Sequence, residues 1–154
     1  PKFKILDFVQ ETFDSSELYN YFFEKRFLFV VFKENMVGEY ELVGSKFWNM
    51  PISDLEGIGK LEWERYQSQF IDGIEFEIKD NRISNNLLKS KETQIFHLRP
   101  HAQRSAYVIN GVKYGNGTES DMDELPNGNK MTKQCFWLNK KYILKNIQDI
   151  IEGE

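Results

Sequence analysis

A chain of 154 residues, 40% hydrophobic and 29% charged, has the length and composition of one folded domain, which excludes the disordered and fibrous classes. Its longest apolar run, Phe27 to Phe32, is far too short to cross a membrane, and a lone cysteine, Cys135, excludes a disulfide framework and a cysteine-rich zinc site. The net charge of −4 argues against a nucleic-acid partner only if that charge is evenly spread.

In chain order, Asp14-Ser15-Ser16-Glu17 has the pattern of a capping box and predicts a short helix with Leu18, Tyr21 and Phe22 on one face. Phe27 to Phe32 does not alternate with polar residues, so it is predicted as a strand buried on both faces. A turn at Asn35 to Gly38 leads to a partner strand over Tyr40 to Phe47. Ser53-Asp54-Leu55-Glu56, just after Pro51, is a second capping box, and its helix carries Trp63, Tyr66 and Phe70 and ends near Gly73. Ile74, Phe76 and Ile78 alternate with Glu75, Glu77 and Lys79, the pattern of a half-exposed strand. Gln94 to Leu98 is a further strand, broken by Arg99-Pro100. Residues 105–130, with Gly111, Gly115, Gly117, Gly128 and Pro126, are expected to be mostly long loop. Lys133 to Leu138 is a last strand, and Asn139 caps a terminal helix bearing Tyr142, Ile143, Ile147 and Ile150 up to Gly153. Interspersed strands and helices predict an α/β or α+β fold.

The charges are segregated. Residues 93–117 carry Arg99, Arg104 and Lys113 with no acid, and residues 130–146 carry Lys130, Lys133, Lys140, Lys141 and Lys145, again with none. These stretches hold +8, so the rest must hold −12 to reach the net −4, and the acidic insert Glu119 to Glu124 lies between them. Such asymmetry points to an anionic partner on one side; the plain alternative is a solvated lysine face. No secretion leader opens the chain, and a Pro at position 1 is expected of a fragment or a processed chain.

Several groups have the makings of catalytic chemistry. Asp72 followed by Glu77-Ile78-Lys79 resembles the Asp and Glu-x-Lys set with which restriction-type nucleases hold Mg²⁺ and activate water. Alternation puts Glu77 and Lys79 on one strand face, but Asp72 sits at a helix end, and Glu-x-Lys is common on any exposed strand. His97 and His101 are separated by Pro100 and are not expected to converge on a metal. Cys135, inside a strand beside Phe136, is expected to be a buried inert thiol. Two segments suit DNA better. Phe96 to His101 offers Arg99 for bidentate reading of guanine, and Met131 to Asn139 combines Lys133 and Gln134 with Trp137 for phosphate or base contact.

Those segments sit in an ordered series: Lys25-Arg26-Phe27-Leu28-Phe29, Phe47-Trp48-Asn49-Met50-Pro51, the Trp63 helix, His97-Leu98-Arg99-Pro100-His101, Met131-Thr132-Lys133-Gln134, and Phe136-Trp137-Leu138 to Tyr142. The series resembles the MutH-type DNA-repair and restriction nucleases, and most of all the C-terminal half of the GATC-cutting type II restriction endonucleases. The resemblance implies a MutH-like fold, a mixed central sheet flanked by helices, over residues 1–154 as one regulatory domain of a longer two-domain enzyme. It implies sequence-specific binding of duplex DNA at a GATC-like site, as the allosteric effector of a catalytic N-terminal domain in the same chain. It makes Asp72, Glu77 and Lys79 decoys and leaves this segment without catalytic or metal-binding residues. No cofactor is then expected here, with Mg²⁺ required by the full-length enzyme. Arg99, Pro100 and His101 match the family's base-reading loop, and Arg104, Lys113, Lys133, Gln134, Trp137, Lys140 and Lys141 complete the expected DNA-binding set. Trp137 stands where the nicking enzyme has a Tyr. The expected setting is the bacterial cytoplasm, without membrane contact, with homodimer formation on DNA as a further option. Two other classes stay open: a Mg²⁺-dependent nuclease using Asp72, Glu77 and Lys79, and a dimerisation module without DNA contacts.

Overall fold

Trp63, Tyr66 and Phe70 recur at the helical period, and most of the core is assembled on that stripe. The computed structural model describes residues 3–80 and 82–152. A short helix α1 (Ile5–Phe8) and α2 (Glu17–Glu24) precede a long hairpin, β1 (Phe27–Met36) and β2 (Glu39–Trp48). Then α3 (Ile52–Asp54) runs through a π-helical turn, Leu55–Gly59, into α4 (Lys60–Asp72). The hairpin β3 (Phe76–Lys79) and β4 (Arg82–Asn85) is followed by β5 (Phe96–Pro100), β6 (Ala106–Ile109) and β7 (Val112–Gly115). The chain continues through β8 (Met122–Glu124), β9 (Lys130–Thr132) and β10 (Gln134–Leu138) to α5 (Lys140–Asn146) and α6 (Gln148–Glu152).

This is a mixed α+β architecture, but the described strands do not form the mixed central sheet expected. They make β1–β2, β3–β4 and β5–β10 pairs and a four-stranded sheet in the order β7-β6-β9-β8. Every described pairing is antiparallel. Aromatic contacts join the pieces. Phe8 meets Trp63 edge-on at 5.0 Å and Phe70 at 5.7 Å, while Phe136 of β10 meets Tyr66 at 6.0 Å. Edge-to-face pairs of this kind add to the large apolar area that each ring buries. They dock the β5–β10 pair against α4.

Several elements differ from the sequence reading. Ser16, not Asp14, caps α2, its hydroxyl accepting from the Tyr19 N–H at 3.1 Å. The second box lies inside its helix. There Pro51 occupies the cap position, Asp54 accepts from the Tyr142 hydroxyl at 2.8 Å, and Glu56 accepts from the Tyr19 hydroxyl at 2.9 Å. β1 is not buried on both faces. It alternates between half-buried and exposed residues. Residues 105–130 are not mostly loop, because two-residue turn chemistry closes strands there. Asn110 and Gly111, with φ of 51° and 83°, connect β6 to β7. Gly115, at φ 81°, ends β7 where a Cβ would press on the Ser105 carbonyl. The terminal helix is broken at Ile147, where φ is −112° and ψ 10°. Just before the break, Asn146 donates to the Tyr142 carbonyl and accepts from Trp48 Nε1. Asn139 precedes α5 without capping it through its side chain, which donates to Thr93 Oγ1 at 2.8 Å. The expected stop at Gly153 lies outside the described residues.

Candidate nucleic-acid interface

Two residues of α4 hold one wall of a basic cleft. The Tyr66 hydroxyl donates to the Leu88 carbonyl at 2.8 Å, and Gln69 accepts from the Leu88 N–H at 3.1 Å while donating to the Asn86 carbonyl at 2.8 Å. Burial pushes the Tyr66 phenol up to about 12, so it stays a neutral donor at any working pH. These bonds fix the segment that carries Lys89 and Lys91. One turn earlier on α4, Glu62 is 3% exposed and its carboxylate accepts the N–H groups of Gln94, Ile95 and Phe96. That clamp sets the start of β5, and thereby the strand bearing His97 and Arg99. β10 pairs with β5 and leads directly into α5, which supplies Lys140 and Lys141.

The cleft between these walls has a volume of about 840 Å³ and is lined by Lys89, Lys91, Arg99, Lys140 and Lys141, with Asn85, Ser90, His97, Gln134 and Asn139 as neutral polar groups. No carboxylate is among its lining residues. Five cations with no carboxylate among the residues lining the cleft make a local positive potential, stronger where the walls exclude water. His97 lies below its ordinary pKa because burial disfavours the cation and Arg99 repels it. Its Nδ1 is buried and makes no hydrogen bond among the described residues. A neutral imidazole there offers a hydrogen bond without adding charge.

Arg99, expected in a corner after the strand, lies within β5, since pairing with β10 continues to Pro100. Pro100 closes the strand end, where its missing N–H costs nothing. Register puts His97, Arg99, Cys135 and Trp137 on one face of the pair. The Arg99 guanidinium lies 4.7 Å from the Trp137 ring centroid, and Trp137 Nε1 donates to the Cys135 sulfur at 2.9 Å. Trp137 is 48% exposed and Arg99 is exposed too, so the stack restrains the arginine at the surface, within reach of a partner.

The cleft thus unites Arg99, Pro100, Gln134, Lys140 and Lys141 of the expected set, with Trp137 beside it. It does not gather the rest. His101 lies on the exposed turn past β5, its N–H donating to the Lys133 carbonyl at 2.7 Å. Arg104 lines a depression of about 420 Å³ with Arg82 and Tyr107, and Lys113 is exposed on β7. Lys133 lines another cavity, of about 440 Å³, together with Asp7, Glu11, Glu17 and Asp123. Burial pushes the Asp123 carboxyl up while Lys133 pulls it down. Lys89 and Lys91 are new. Two lysines around Ser90 signalled a basic turn, but nothing in the sequence placed it opposite Arg99. Glu77 and Lys79 are exposed on the β3–β4 hairpin, Asp72 ends α4, and among the described residues no three His, Cys, Asp or Glu side chains could hold a metal ion. No helix in the described residues is long and apolar enough to cross a membrane.

No family model matches the chain. It is similar to Type II restriction enzyme Sau3AI of Staphylococcus aureus, with 32% identity over 172 residues. That alignment covers 97% of this chain and 34% of the relative, so the chain spans about a third of the length of the restriction enzyme it matches.

Proposed function

We propose that the cleft between residues 85–91, β5 and α5 binds duplex DNA, and that the chain serves as a DNA-binding regulatory domain of a type II restriction endonuclease. The observation that carries the reading is the acid-free lining of five cations around Arg99, with that side chain stacked on Trp137. The similarity to a restriction enzyme over 97% of the chain supports it from the side of ancestry. In this reading Lys89, Lys91, Lys140 and Lys141 meet phosphates, while Arg99 and Gln134 read base edges of a GATC-like site. His101, Arg104 and Lys113 extend the footprint along the turn and the β6–β7 hairpin, and Lys133, set among carboxylates, contributes least. The MutH-type assignment of the domain, the allosteric action on a catalytic domain that uses Mg²⁺, and the bacterial cytoplasm as its setting belong to the same proposal. Its energetic content is a coupling between two DNA sites.

The test is quantitative binding to GATC-containing and scrambled duplexes across salt. Four to five neutralised phosphates give a log–log salt slope of about −4. Arg99→Ala reduces discrimination between the duplexes by about 1–3 kcal/mol. Affinity that ignores salt sinks the proposal. Plasmid held with this chain and Mg²⁺ stays intact; cleavage abolished by Glu77→Gln would instead place the chemistry on the β3–β4 hairpin.

A further inference from the structure

Among the described residues that line the basic cleft, His97 alone carries a buried side-chain atom without a hydrogen-bond partner. The residue is half-buried, and that atom is Nδ1, so Nε2 is the ring nitrogen that a ligand in the cleft can meet. The chain has two histidines, and the other, His101, lies outside the cleft on the exposed turn past β5.

The charges that face the ring are of one sign. Arg99 follows it by two positions on the same face of β5, Lys89 and Lys91 line the cleft from the segment before β5, and Lys140 and Lys141 line it from α5. From β10, Trp137 stands opposite His97, and α4 contributes the Tyr66 phenol, which stays neutral. The carboxylates nearby are engaged elsewhere. Glu62 holds the N–H groups that open β5, and Glu92 accepts from the Lys89 N–H at 2.7 Å. Neither lines the cleft.

Burial disfavours the imidazolium most; Asn139 favours it, and Arg99 again opposes it. The Asn139 amide nitrogen already donates to Thr93 Oγ1 at 2.8 Å, so its carbonyl oxygen is what it has to offer a ring N–H. In the free cleft at neutral pH the ring is therefore uncharged. A phosphate reverses the balance, because it compensates the surrounding cations and favours a positive ring within about 4–6 Å. The imidazolium then has an acceptor for each N–H, Asn139 inside and the phosphate at Nε2.

We propose that His97 is a DNA-contact residue of this cleft, its imidazole gaining a proton as the duplex enters and donating from Nε2 to a backbone phosphate. This rests on the cleft being the DNA site. The proton comes from the solvent, up to about one for each duplex bound. Affinity therefore rises as pH falls through the bound-state pKa of His97 and levels off below that of the free protein.

Binding of the GATC-containing duplex at pH 7.5 and 5.5, both at about 0.15 M salt, tests this. The parent chain should bind about tenfold tighter at the lower pH, the effect of one pKa unit between free and bound states. Calorimetry near pH 6.5 in buffers of different ionisation enthalpy should count about half a proton or more taken up. His97→Gln should reduce the pH effect to about twofold or less and abolish most of the uptake, while His101→Gln keeps both. Glu11 and Asp123, whose carboxyls burial holds high, also gain protons as pH falls, but His97→Gln retains that contribution. Proton NMR of His97 in the parent chain gives a second reading that needs no variant, with its titration moving to higher pH when the duplex is added. Salt-dependent binding that is equal at both pH values overturns the proposal and leaves the cleft as a DNA site. So does a His97 signal that titrates no higher with DNA than without, or a His97→Gln chain that keeps the parent's pH effect. Absence of binding at either pH would remove the DNA site and this role of His97 together.

Discussion

Glu62 offers a test of how the cleft is built. Its carboxylate is buried and accepts three successive backbone N–H groups, from Gln94, Ile95 and Phe96, at the entry to β5. Hydrogen bonds to an ionised group contribute about twice as much as neutral ones, and each buried donor left without a partner costs about 1–3 kcal/mol. Glu62→Ala removes all three acceptors and opens room for water to reach some of them, so a loss of about 3–6 kcal/mol follows. That is a large part of the ~5–15 kcal/mol that holds a domain of this size folded. Glu62→Gln keeps the shape but turns an NH₂ toward backbone donors, and should cost about 2–4 kcal/mol. Urea denaturation at 25 °C measures both losses, with an unchanged m-value showing that the surface exposed on unfolding is the same. DNA binding under native conditions should weaken as well, since β5 carries Arg99. A loss below about 1 kcal/mol for Glu62→Ala would show that this clamp is not what fixes the strand.

The remaining predictions concern charge, backbone and pH. Lys140→Ala and Lys89→Ala each reduce the salt slope of DNA binding by about 0.9, whereas Lys133→Ala changes it by less than half of that; equal effects at all three positions would contradict the division between cleft and acidic cavity. Gly115→Ala sets a side chain at φ 81° against the Ser105 carbonyl and should destabilise by at least about 2 kcal/mol, read by urea titration, with a neutral result refuting the contact. His97 has its folded pKa below the unfolded value of about 6.5, so the unfolded chain takes the proton first and stability falls as pH drops below that point. His97→Gln should flatten this decline in urea titrations between about pH 7 and 5; an unchanged profile would show that His97 titrates alike in both states.

Sequence pattern reached those elements whose reasons are local. The Trp63-Tyr66-Phe70 stripe gave α4 and its end at Gly73 because period and cap lie in adjacent residues. The Asn110-Gly111 turn is equally local, since that dipeptide is a strong two-residue hairpin signal, but the density of glycine around it reads as loop. The run Phe27 to Phe32 was ambiguous in principle. A strand apolar on both faces reads the same whether each face meets the core or one of them is left exposed, as here. The cleft was half visible. Arg99, Lys140 and Lys141 stand out in acid-free stretches, but Lys89 and Lys91 come from a separate segment brought opposite them by the hydrogen bonds of Tyr66 and Gln69. Side chains fifty residues from the lysines of α5 share a site with them only through tertiary structure, which no spacing rule contains.

The net charge of −4 is the sum of two unlike surfaces, and screening decides which of them an approaching duplex feels. One cavity sets Asp7, Glu11, Glu17 and Asp123 against Lys4 and Lys133, so acids outnumber bases there, and burial, then Asp7 and Glu17, hold the Glu11 carboxyl above its ordinary pKa. Acid repels acid around Glu11, although two lysines share the cavity. The cleft has cations only. At physiological salt the Debye length is about 8 Å, so a phosphate in the cleft responds to the lysines around it and hardly at all to carboxylates across the molecule. Near 0.01 M the length grows to about 30 Å, comparable with the size of the protein, and the acidic surface begins to oppose binding. A log–log plot of DNA affinity against salt should therefore be straight between about 0.1 and 0.3 M and bend toward weaker dependence below about 0.03 M. Asp7→Asn with Glu17→Gln should straighten that bend while leaving the slope at higher salt unchanged. If the plot stays straight over the whole range in the parent chain, the two surfaces are not acting as separate fields, and average charge is after all the better description.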